Sequence, residues 1–396
     1  GPYGEEEVAT VRENIGWPHA PFDVPADIEA AWAEAGKRAH ADHLAWKNRL
    51  DNHADKAAFE AAMAGALPAN LSDIVNAHKK AVVEGGKDDA TRKWSGAALE
   101  PLTEAIPEMI GGSADLTGSN NTKTSHTAPL GPDNWAGRYV HYGIREHAMA
   151  AAMNGMALHG GVIPYSGTFL VFADYSRAAI RLGALMGERV IHVMTHDSIG
   201  LGEDGPTHQP VEHVASLRAM PNMTVFRPCD GVEAAECWEL ALRNETGPST
   251  LALTRQKVTS ARTTHTDENL SSKGGYVLSD ADGAKAVLIA TGSEVEIAMA
   301  AQTALSEKGV PVRVVSMPSM DLFEQQSEAY QTETLGGDLP RIAIEAGVRF
   351  GWDRWIGYDG GFVGMSSFGA SAPYQDLYNH FNITADAVMA EVEKRI

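Results

Sequence analysis

Val190-Ile191-His192-Val193-Met194 runs directly into the loop 195–210, whose sequence is THDSIGLGEDGPTHQP. The first part is an apolar run, which predicts a buried strand. The loop that follows holds two histidines, three acidic side chains and three glycines. α/β proteins place their chemistry in loops at the carboxyl ends of parallel strands, so this transition predicts both a parallel sheet and a functional loop.

Strands and helices alternate on both sides of this stretch. The first set comprises predicted strands at 161–165, 190–195, 224–227 and 250–254 and predicted helices at 146–158, 172–186 and 231–243. A second set comprises strands at 286–290, 312–316, 341–345 and 362–365, with a helix reaching 308 and a final helix to the end. This alternation predicts an α/β fold with two three-layer α/β/α domains and mostly parallel sheets.

The first part of the chain has a different composition. Residues 1–75 are rich in Ala, Glu, Lys and His and are interrupted by prolines. They predict helices at 5–14, 26–51 and 56–64, with another at 72–84. We therefore expect a helical connector over 1–75, followed by α/β domains over 76–268 and 275–396.

Composition and charge narrow the classes of partner. The chain has 396 residues, of which 44% are hydrophobic and 21% charged, as is ordinary for a globular protein. A formal net charge of −20 and the lack of a basic stripe argue against nucleic acid or a membrane as a partner. An anionic substrate would then need a local cationic pocket. With only two cysteines, Cys229 and Cys237, and no apolar run of 18 residues, we expect a cytoplasmic location.

Glu146 is the first candidate catalytic residue. It lies in HYGIREHAM, residues 141–149, where a strand passes into a helix. The helix dipole and free N–H groups stabilise a carboxylate there. Helix capping is the alternative explanation, and the position alone favours it.

The loop 195–210 supplies the next candidates. His196 and His208 lie on either side of Asp204. Zinc binding is an alternative, but the spacing fits neither a helical His pair nor a Cys/His knuckle, so we predict no metal ligands here. Because so many ionisable groups share one loop, a functional role is favoured over that of a simple turn.

Aromatic residues form a further candidate group. Phe169, Phe172 and Tyr175 recur every three residues, a spacing that would place them on one face of a helix. Core packing is the default explanation for such a stripe. A pocket for a flat heteroaromatic ring is the functional alternative.

Two arginines and a small-residue segment complete the candidates. The segment 111–120, GGSADLTGSN, predicts a turn or loop. Arg255 directly follows a predicted strand, where its N–H donors could hold a phosphate, and Arg92 is considered with it. A solvated surface position is the alternative for either arginine.

Taken together, these motifs resemble those of the transketolase family of thiamine diphosphate enzymes. The motifs, in family order, are GSADL at 112–116, GIREH at 143–147, the loop 195–210, RPCD at 227–230 and ATGSE at 290–294. The resemblance implies that 76–268 is a pyrimidine-binding domain and that 275–396 is the family's C-terminal domain. It also implies that the family's first domain, which binds the diphosphate and Mg²⁺ and contains a Gly-Asp-Gly motif, is missing. The Mg²⁺ ligands are then expected in that missing domain.

The resemblance gives each candidate a role. It matches Glu146 to the carboxylate that hydrogen-bonds N1′ of the cofactor's aminopyrimidine, and Asp115 to a residue near the thiazolium. The aromatic wall around the aminopyrimidine would be Phe169, Phe172 and Tyr175.

The resemblance also implies a substrate site. His196 and His208 match substrate-facing histidines that assist proton transfer, and Asp204 matches the residue that reads the sugar's C2 hydroxyl. The phosphate clamp would consist of Arg92, Ser119 and Arg255.

The reaction implied is transfer of a two-carbon ketol unit from xylulose 5-phosphate to ribose 5-phosphate, in the pentose phosphate pathway. The family's site forms at a homodimer interface, so we expect a homodimer or a complex with the missing domain, and an incomplete site in this chain alone. The alternative is an inactive clipped fragment, or a dimerisation or sugar-phosphate-binding module. We expect the C-terminal domain to be structural, with the turn 291–293 as a candidate anion site.

Overall fold

A computed structural model describes residues 1–396 and divides them into two compact units, 1–61 and 62–396. The first unit is helical and consists of α1 (Glu5–Asn14), α2 (Ala26–Gly36), α3 (His40–Asp51) and the start of α4 (Lys56–Met63). No residue of these four helices is buried. The predicted helix 26–51 is interrupted, because α2 ends at Gly36, a residue that disfavours helix, and a turn follows.

The second unit contains a six-stranded parallel sheet. The first seven strands of this unit are β1 (Asp89–Ala90), β2 (Met109–Ser113), β3 (Tyr139–His141), β4 (Ile163–Phe169), β5 (Ile191–Thr195), β6 (Thr224–Phe226) and β7 (Ser249–Leu253). Six of them form one sheet in the order β3-β2-β4-β5-β7-β6, and every pair in it is parallel. The helices of this part are α5 (Leu71–Gly85), α6 (Thr91–Ala105), α7 (Thr117–Asn120), α8 (Glu146–His159), α9 (Ala173–Met186), α10 (His213–Arg218) and α11 (Gly231–Arg243).

A second, five-stranded sheet follows in the same unit. The remaining strands are β8 (Lys257–Val258), which pairs with β1, then β9 (Tyr276–Ser279), β10 (Val287–Ala290), β11 (Arg313–Ser316), β12 (Arg341–Val348) and β13 (Gly361–Met365). The sheet order is β13-β12-β10-β11-β9, with only β9 antiparallel. The helices are α12 (Glu294–Glu307), α13 (Met320–Glu324), α14 (Glu328–Thr334), α15 (Asp353–Ile356), α16 (Tyr374–His380) and α17 (Ala385–Glu393).

Each sheet is covered by helices on both faces. On the first sheet, one apolar cluster joins β4 and β5 to α6 and α11, and another joins β5 to α9 and α10. On the second, clusters on the two faces involve α12 and α17, and α13 and α15. The predicted α/β class with three-layer architecture is confirmed. None of the helices is both long and apolar enough to span a membrane.

The main local error of the sequence analysis concerns 111–120. Its first three residues are not a loop but the end of β2, in the interior of the sheet. Glycine is required there because a Cβ on Gly111 would lie 2.5 Å from the Tyr165 ring, and one on Gly112 would lie 2.5 Å from the Tyr142 ring. Close approach of neighbouring side chains, rather than a turn, explains these glycines.

Candidate functional site

Five neighbouring strands of the first sheet end at one edge, and a predicted site residue lies at or just after each end. In the order of the strands across the sheet these are Glu146 after β3, Asp115 after β2, Phe169 in β4, His196 after β5 and Arg255 after β7. Neighbouring strands lie about 4.8 Å apart, so this row covers about 19 Å. The edge therefore suits an elongated ligand better than a compact one.

Aromatic and imidazole rings occupy the middle of this row. The Phe169 ring stacks on His196, with centroids 3.7 Å apart, and on Phe172 at 5.6 Å. The His208 ring meets Phe172 edge-on at 5.5 Å, and Tyr175 lies 5.8 Å from Phe172. The three aromatics are not one helical stripe, because Phe169 ends β4, Phe172 lies in a 3₁₀ turn and only Tyr175 is in α9.

A chain of hydrogen bonds fixes the His196 ring. The Ser113 hydroxyl donates to the Asn120 side-chain oxygen at 2.9 Å, and the Asn120 amide donates to Thr195 Oγ1 at 2.7 Å. Thr195 Oγ1 lies 2.9 Å from His196 Nδ1, so the hydroxyl that accepts from Asn120 is free to donate to the ring. Ser113, Asn120 and Thr195 were not among the predicted site residues; Ser113 and Thr195 end β2 and β5, and Asn120 ends the short helix α7.

This arrangement keeps His196 uncharged. Burial, followed by the positive charges of Arg92, Arg255 and His208, lowers the pKa of His196 to about 3. In the tautomer in which Nδ1 accepts from Thr195, the neutral ring carries its proton on Nε2. His196 can therefore donate a hydrogen bond near neutral pH without adding a positive charge.

The two predicted arginines lie near each other, and neither has a carboxylate within 4 Å. Arg92 Nη1 donates to the Ser119 backbone carbonyl at 2.7 Å, while its Nε is buried with no partner. Burial and the positive charge of Arg255 lower the pKa of Arg92. Arg255 is exposed, and neither guanidinium forms an ion pair within 4 Å. Two unpaired like charges at one edge would be stabilised by an anion.

The predicted carboxylates are separate from this ring cluster. Glu146 is the first residue of α8 and is only 7% exposed, yet its side chain makes no hydrogen bond or ion pair in the chain. Asp115 is exposed and has a left-handed backbone with φ of 64°. Asp204 is exposed in its loop and has no side-chain partner, so the structure does not join it to the histidines.

One other group of side chains could hold a metal ion. Asp174, Glu212 and His213 offer ligand atoms within 4.8 Å of one another, and His213 Nε2 is 3.1 Å from Asp174 Oδ2. These residues were not predicted as ligands, because distant segments contribute them.

The turn 291–293 is unsuited to the anion predicted there. The Arg227 side chain already fills the space beside Gly292, and the Glu294 carboxylate lies in the first turn of α12. Arg227 Nη1 donates to the Thr291 carbonyl at 3.1 Å and also pairs with Glu294. The prediction of an anion site is therefore wrong, since an internal ion pair occupies the position.

Comparison with known proteins gives three family matches. Residues 87–260 match the transketolase pyrimidine-binding domain, 274–384 match the transketolase-like C-terminal domain, and 1–70 match the transketolase thiamine diphosphate binding domain.

Individual relatives agree with these matches. The chain is 56% identical over 390 residues to a transketolase of Sinorhizobium medicae, an alignment covering 98% of this chain and 56% of that protein. A transketolase structure from Leishmania mexicana has a TM-score of 0.89 and 40% identity, covering 99% of this chain and 58% of its own. A mutant transketolase from Pichia stipitis, described as a complex with xylulose 5-phosphate, has a TM-score of 0.91 and 36% identity, with coverages of 100% and 59%.

The match over 1–70 corrects one prediction. The expectation that the diphosphate-binding domain is missing is not supported, and neither are the incomplete site, the partner that would supply the domain, or the assignment of the Mg²⁺ ligands to an absent domain. The sequence analysis used the Gly-Asp-Gly motif as the marker of this domain, and that motif does not occur in 1–70.

Proposed function

We propose that this chain, which belongs to the transketolase family, takes part in transferring a two-carbon ketol unit from a ketose phosphate to an aldose phosphate. Xylulose 5-phosphate would be the donor and ribose 5-phosphate the acceptor, as in the pentose phosphate pathway. The observation that carries the proposal is the order of groups along one sheet edge: unpaired carboxylate, aromatic rings with two imidazoles, and unpaired guanidinium. This order matches a cofactor ring at one end and a sugar phosphate extending to the other.

The residues at the Glu146 end fit thiamine diphosphate. When bound, this cofactor supplies a nucleophilic carbon that reacts with sugar carbonyls. The buried Glu146 carboxylate has no partner in the chain, so it is free to share a proton with a ring nitrogen. Phe169 and Phe172 are nearly parallel, with an angle of 9° between their rings, which suits stacking of a flat heterocycle. Mg²⁺ is typical of the family, and we assign it no ligands here.

The imidazoles in the middle of the edge would bind the reacting part of the sugar. His196 would present a donor proton on Nε2 when Thr195 donates to its Nδ1. His208 Nδ1 lies 2.9 Å from Thr207 Oγ1. Both rings can hydrogen-bond a carbonyl or hydroxyl oxygen and move a proton there. Asp204 would read a sugar hydroxyl, an assignment that rests on the family resemblance.

The cations at the far end would hold the phosphate. Burial and the positive charge of Arg255 lower the pKa of Arg92, and a phosphate dianion between the two arginines would remove their repulsion. The Ser119 backbone carbonyl accepts a hydrogen bond from Arg92. It therefore orients the guanidinium without neutralising its charge. This is the local cationic pocket that an anionic substrate requires in a chain of net charge −20.

A homodimer is the assembly we propose. On α9, the exposed Tyr175, Leu182 and Leu185 recur at helical spacing on one face, and Leu158 is exposed on the neighbouring α8. Contiguous apolar patches of this kind mark protein interfaces. The α9 face starts at Tyr175, beside the proposed cofactor ring site, so a second copy would cover that region. Sedimentation equilibrium should then show a dimer.

A ketol-transfer assay tests the proposed function. With thiamine diphosphate and Mg²⁺, the protein should convert xylulose 5-phosphate and ribose 5-phosphate to products two carbons shorter and longer, followed by mass spectrometry. Binding of the sugar phosphates without any turnover would contradict the proposal and favour a sugar-phosphate-binding module. A folded dimer that binds neither cofactor nor sugar would favour a dimerisation module.

A further inference from the structure

We propose that a buried ion cluster makes the second sheet a positioning element for His196, with Asp197, Arg227 and Glu294 as the positioning residues. The inference rests on the proposed function, because it takes His196 to be a substrate-binding residue. It goes beyond that function by giving the C-terminal part of the chain a role other than packing.

The cluster crosses from the first sheet to the second. Arg227, which follows β6, donates from Nε to Asp197 Oδ2 at 2.8 Å. The same guanidinium pairs through Nη1 with Glu294 and lies 3.6 Å from Glu345 Oε1. All four side chains are at most 4% exposed, so water screens these charges little.

The position of Asp197 makes the cluster relevant to the site. His196 has a left-handed backbone with φ of 62°, which is uncommon and sterically costly for a residue with a side chain. On one side, Thr195 is held by the Asn120 amide at 2.7 Å; on the other, Asp197 is held by Arg227. Because its two neighbours are anchored, the His196 backbone stays in this conformation and its ring stays against Phe169.

The acidic partners on the second sheet are themselves fixed. Glu294 Oε1 accepts from Tyr378 at 2.7 Å and from Ser293 at 2.8 Å. Glu345 Oε2 accepts from Trp352 Nε1 at 2.7 Å and from Arg218 Nη1 at 2.8 Å. The guanidinium is thus clamped by groups that belong to β12, α12 and α16, and any shift of these elements reaches Asp197.

Energetics favour positioning over stabilisation as the effect of the cluster. A buried ion pair contributes little net stability compared with apolar packing of similar volume, because desolvation offsets the attraction. Its orientation is nevertheless specific, since a planar guanidinium fixes the direction of each carboxylate. Asp197 Oδ1 has no partner, so the Asp197 carboxylate depends on Arg227 for its side-chain hydrogen bond.

The test is a set of double-mutant cycles with His196. Asp197→Asn and Glu294→Gln are made in the wild-type protein and in His196→Ala, and donor kcat and KM are measured well below the Tm. We expect each to lower kcat/KM about 10- to 100-fold in the wild type, because a displaced reacting group loses about that much. In the His196→Ala background the same changes should lower kcat/KM less than about threefold, since the effects of coupled residues are not additive. Thiamine diphosphate affinity should not change.

A matched control comes from another buried ion pair. Glu236 pairs with Lys79 at 2.9 Å and with Arg262 at 2.7 Å, and all three side chains are at most 5% exposed. Glu236→Gln should lower the Tm, but its effect on kcat/KM should be the same with and without His196. If Asp197→Asn does not fold, Tyr378→Phe is used, because it removes only one hydrogen bond to Glu294.

A second readout is independent of turnover. In ¹H–¹⁵N NMR spectra, Glu294→Gln and Tyr378→Phe should shift the ring signals of His196, whereas Glu236→Gln should not. Equal costs in both backgrounds, together with unmoved His196 signals, would overturn the positioning role. A wild-type protein without ketol transfer would instead overturn the proposed function, and the NMR comparison would still decide whether the cluster controls the ring.

Discussion

Glu146 and Glu294 occupy the same local position relative to a strand and the helix after it. Each is the first residue of a helix that follows a parallel strand, α8 after β3 and α12 after β10, and each is buried. Glu294 is saturated by Arg227, Ser293 and Tyr378, whereas Glu146 has no partner in the chain. The position of a carboxylate therefore does not show whether it is reactive or structural. The distinction lies in whether the carboxylate has hydrogen-bonding capacity that the chain leaves unused.

The same contrast applies to the cations. The second sheet's edge receives Arg227, which is enclosed by carboxylates, while the first sheet's edge carries Arg92 and Arg255 without any. One edge is internally neutralised, and the other has a buried carboxylate and two guanidinium groups left for a ligand.

The largest effect is expected for Glu146→Gln. We expect ketol transfer to fall about 1000-fold, because the amide cannot exchange a proton with a ring nitrogen and general acid–base groups contribute factors of this size. Initial rates at saturating thiamine diphosphate measure this loss. Near-normal turnover would contradict the role of Glu146 and support simple helix capping.

The same substitution should lower stability by different amounts at the two positions. Glu294→Gln should cost about 1–3 kcal/mol of unfolding free energy, because it weakens hydrogen bonds to a buried charged group. Glu146→Gln should cost less than about 1 kcal/mol, the value of a carboxylate at a helix N-terminus. Urea unfolding of the two variants compares them directly. Equal losses would contradict the contrast, because they would mean that the Glu146 carboxylate has a hydrogen-bonding partner in the folded chain.

Much of the fold could be predicted from the sequence. Long helices such as α11 and strands such as β5 agree with the predicted ranges, because their apolar patterns are strong. β2 was missed because its glycines, which accommodate the Tyr165 ring, look like a turn in the sequence. The sequence pattern also gave no strand at β9, the antiparallel edge strand of the second sheet.

The site was predicted in its residues but not in its geometry. Family motifs identified Glu146, His196 and Arg255, and whether they act as proposed is left to experiment. Their linear order depends on the strand order β3-β2-β4-β5-β7, which no local pattern encodes. The links from Arg227 to Asp197 and Glu294 join residues far apart in the chain, so the sequence could not indicate them.

Arg255→Ala removes a cation that is proposed to face the ligand, in contrast to Arg227, which carboxylates enclose. We expect kcat/KM for ribose 5-phosphate to fall about tenfold, since an exposed charged hydrogen bond contributes at the lower end of about 1.5–3 kcal/mol. An aldose without phosphate should be affected much less. Arg349→Ala, a change at a surface arginine paired with Asp353, serves as the control and should affect neither acceptor. Equal losses for both acceptors after Arg255→Ala would contradict the phosphate role.

The smallest effect concerns the pH dependence of stability, to which the buried His192 and His196 contribute. His192, inside β5, has no partner for either ring nitrogen, and burial lowers its pKa to about 4. Its neighbours on β4 and β7, Ser166 and Thr250, are uncharged. In the unfolded chain the pKa of His192 returns to about 6.5. Below that pH the unfolded state therefore binds a proton that the folded state does not bind.

Stability should therefore fall as the pH falls from about 6.5 toward 4, and His192 alone should account for about 1 kcal/mol between pH 7.5 and 5.5. His192→Leu removes the titrating group and should flatten this part of the stability profile in urea unfolding. The exposed His380 is the control, because His380→Gln should leave the profile unchanged. A profile that His192→Leu does not flatten would show that the buried ring has found a partner. His196 would then be the principal source of the acid sensitivity, since its pKa is lowered to about 3 and its window extends further into acid.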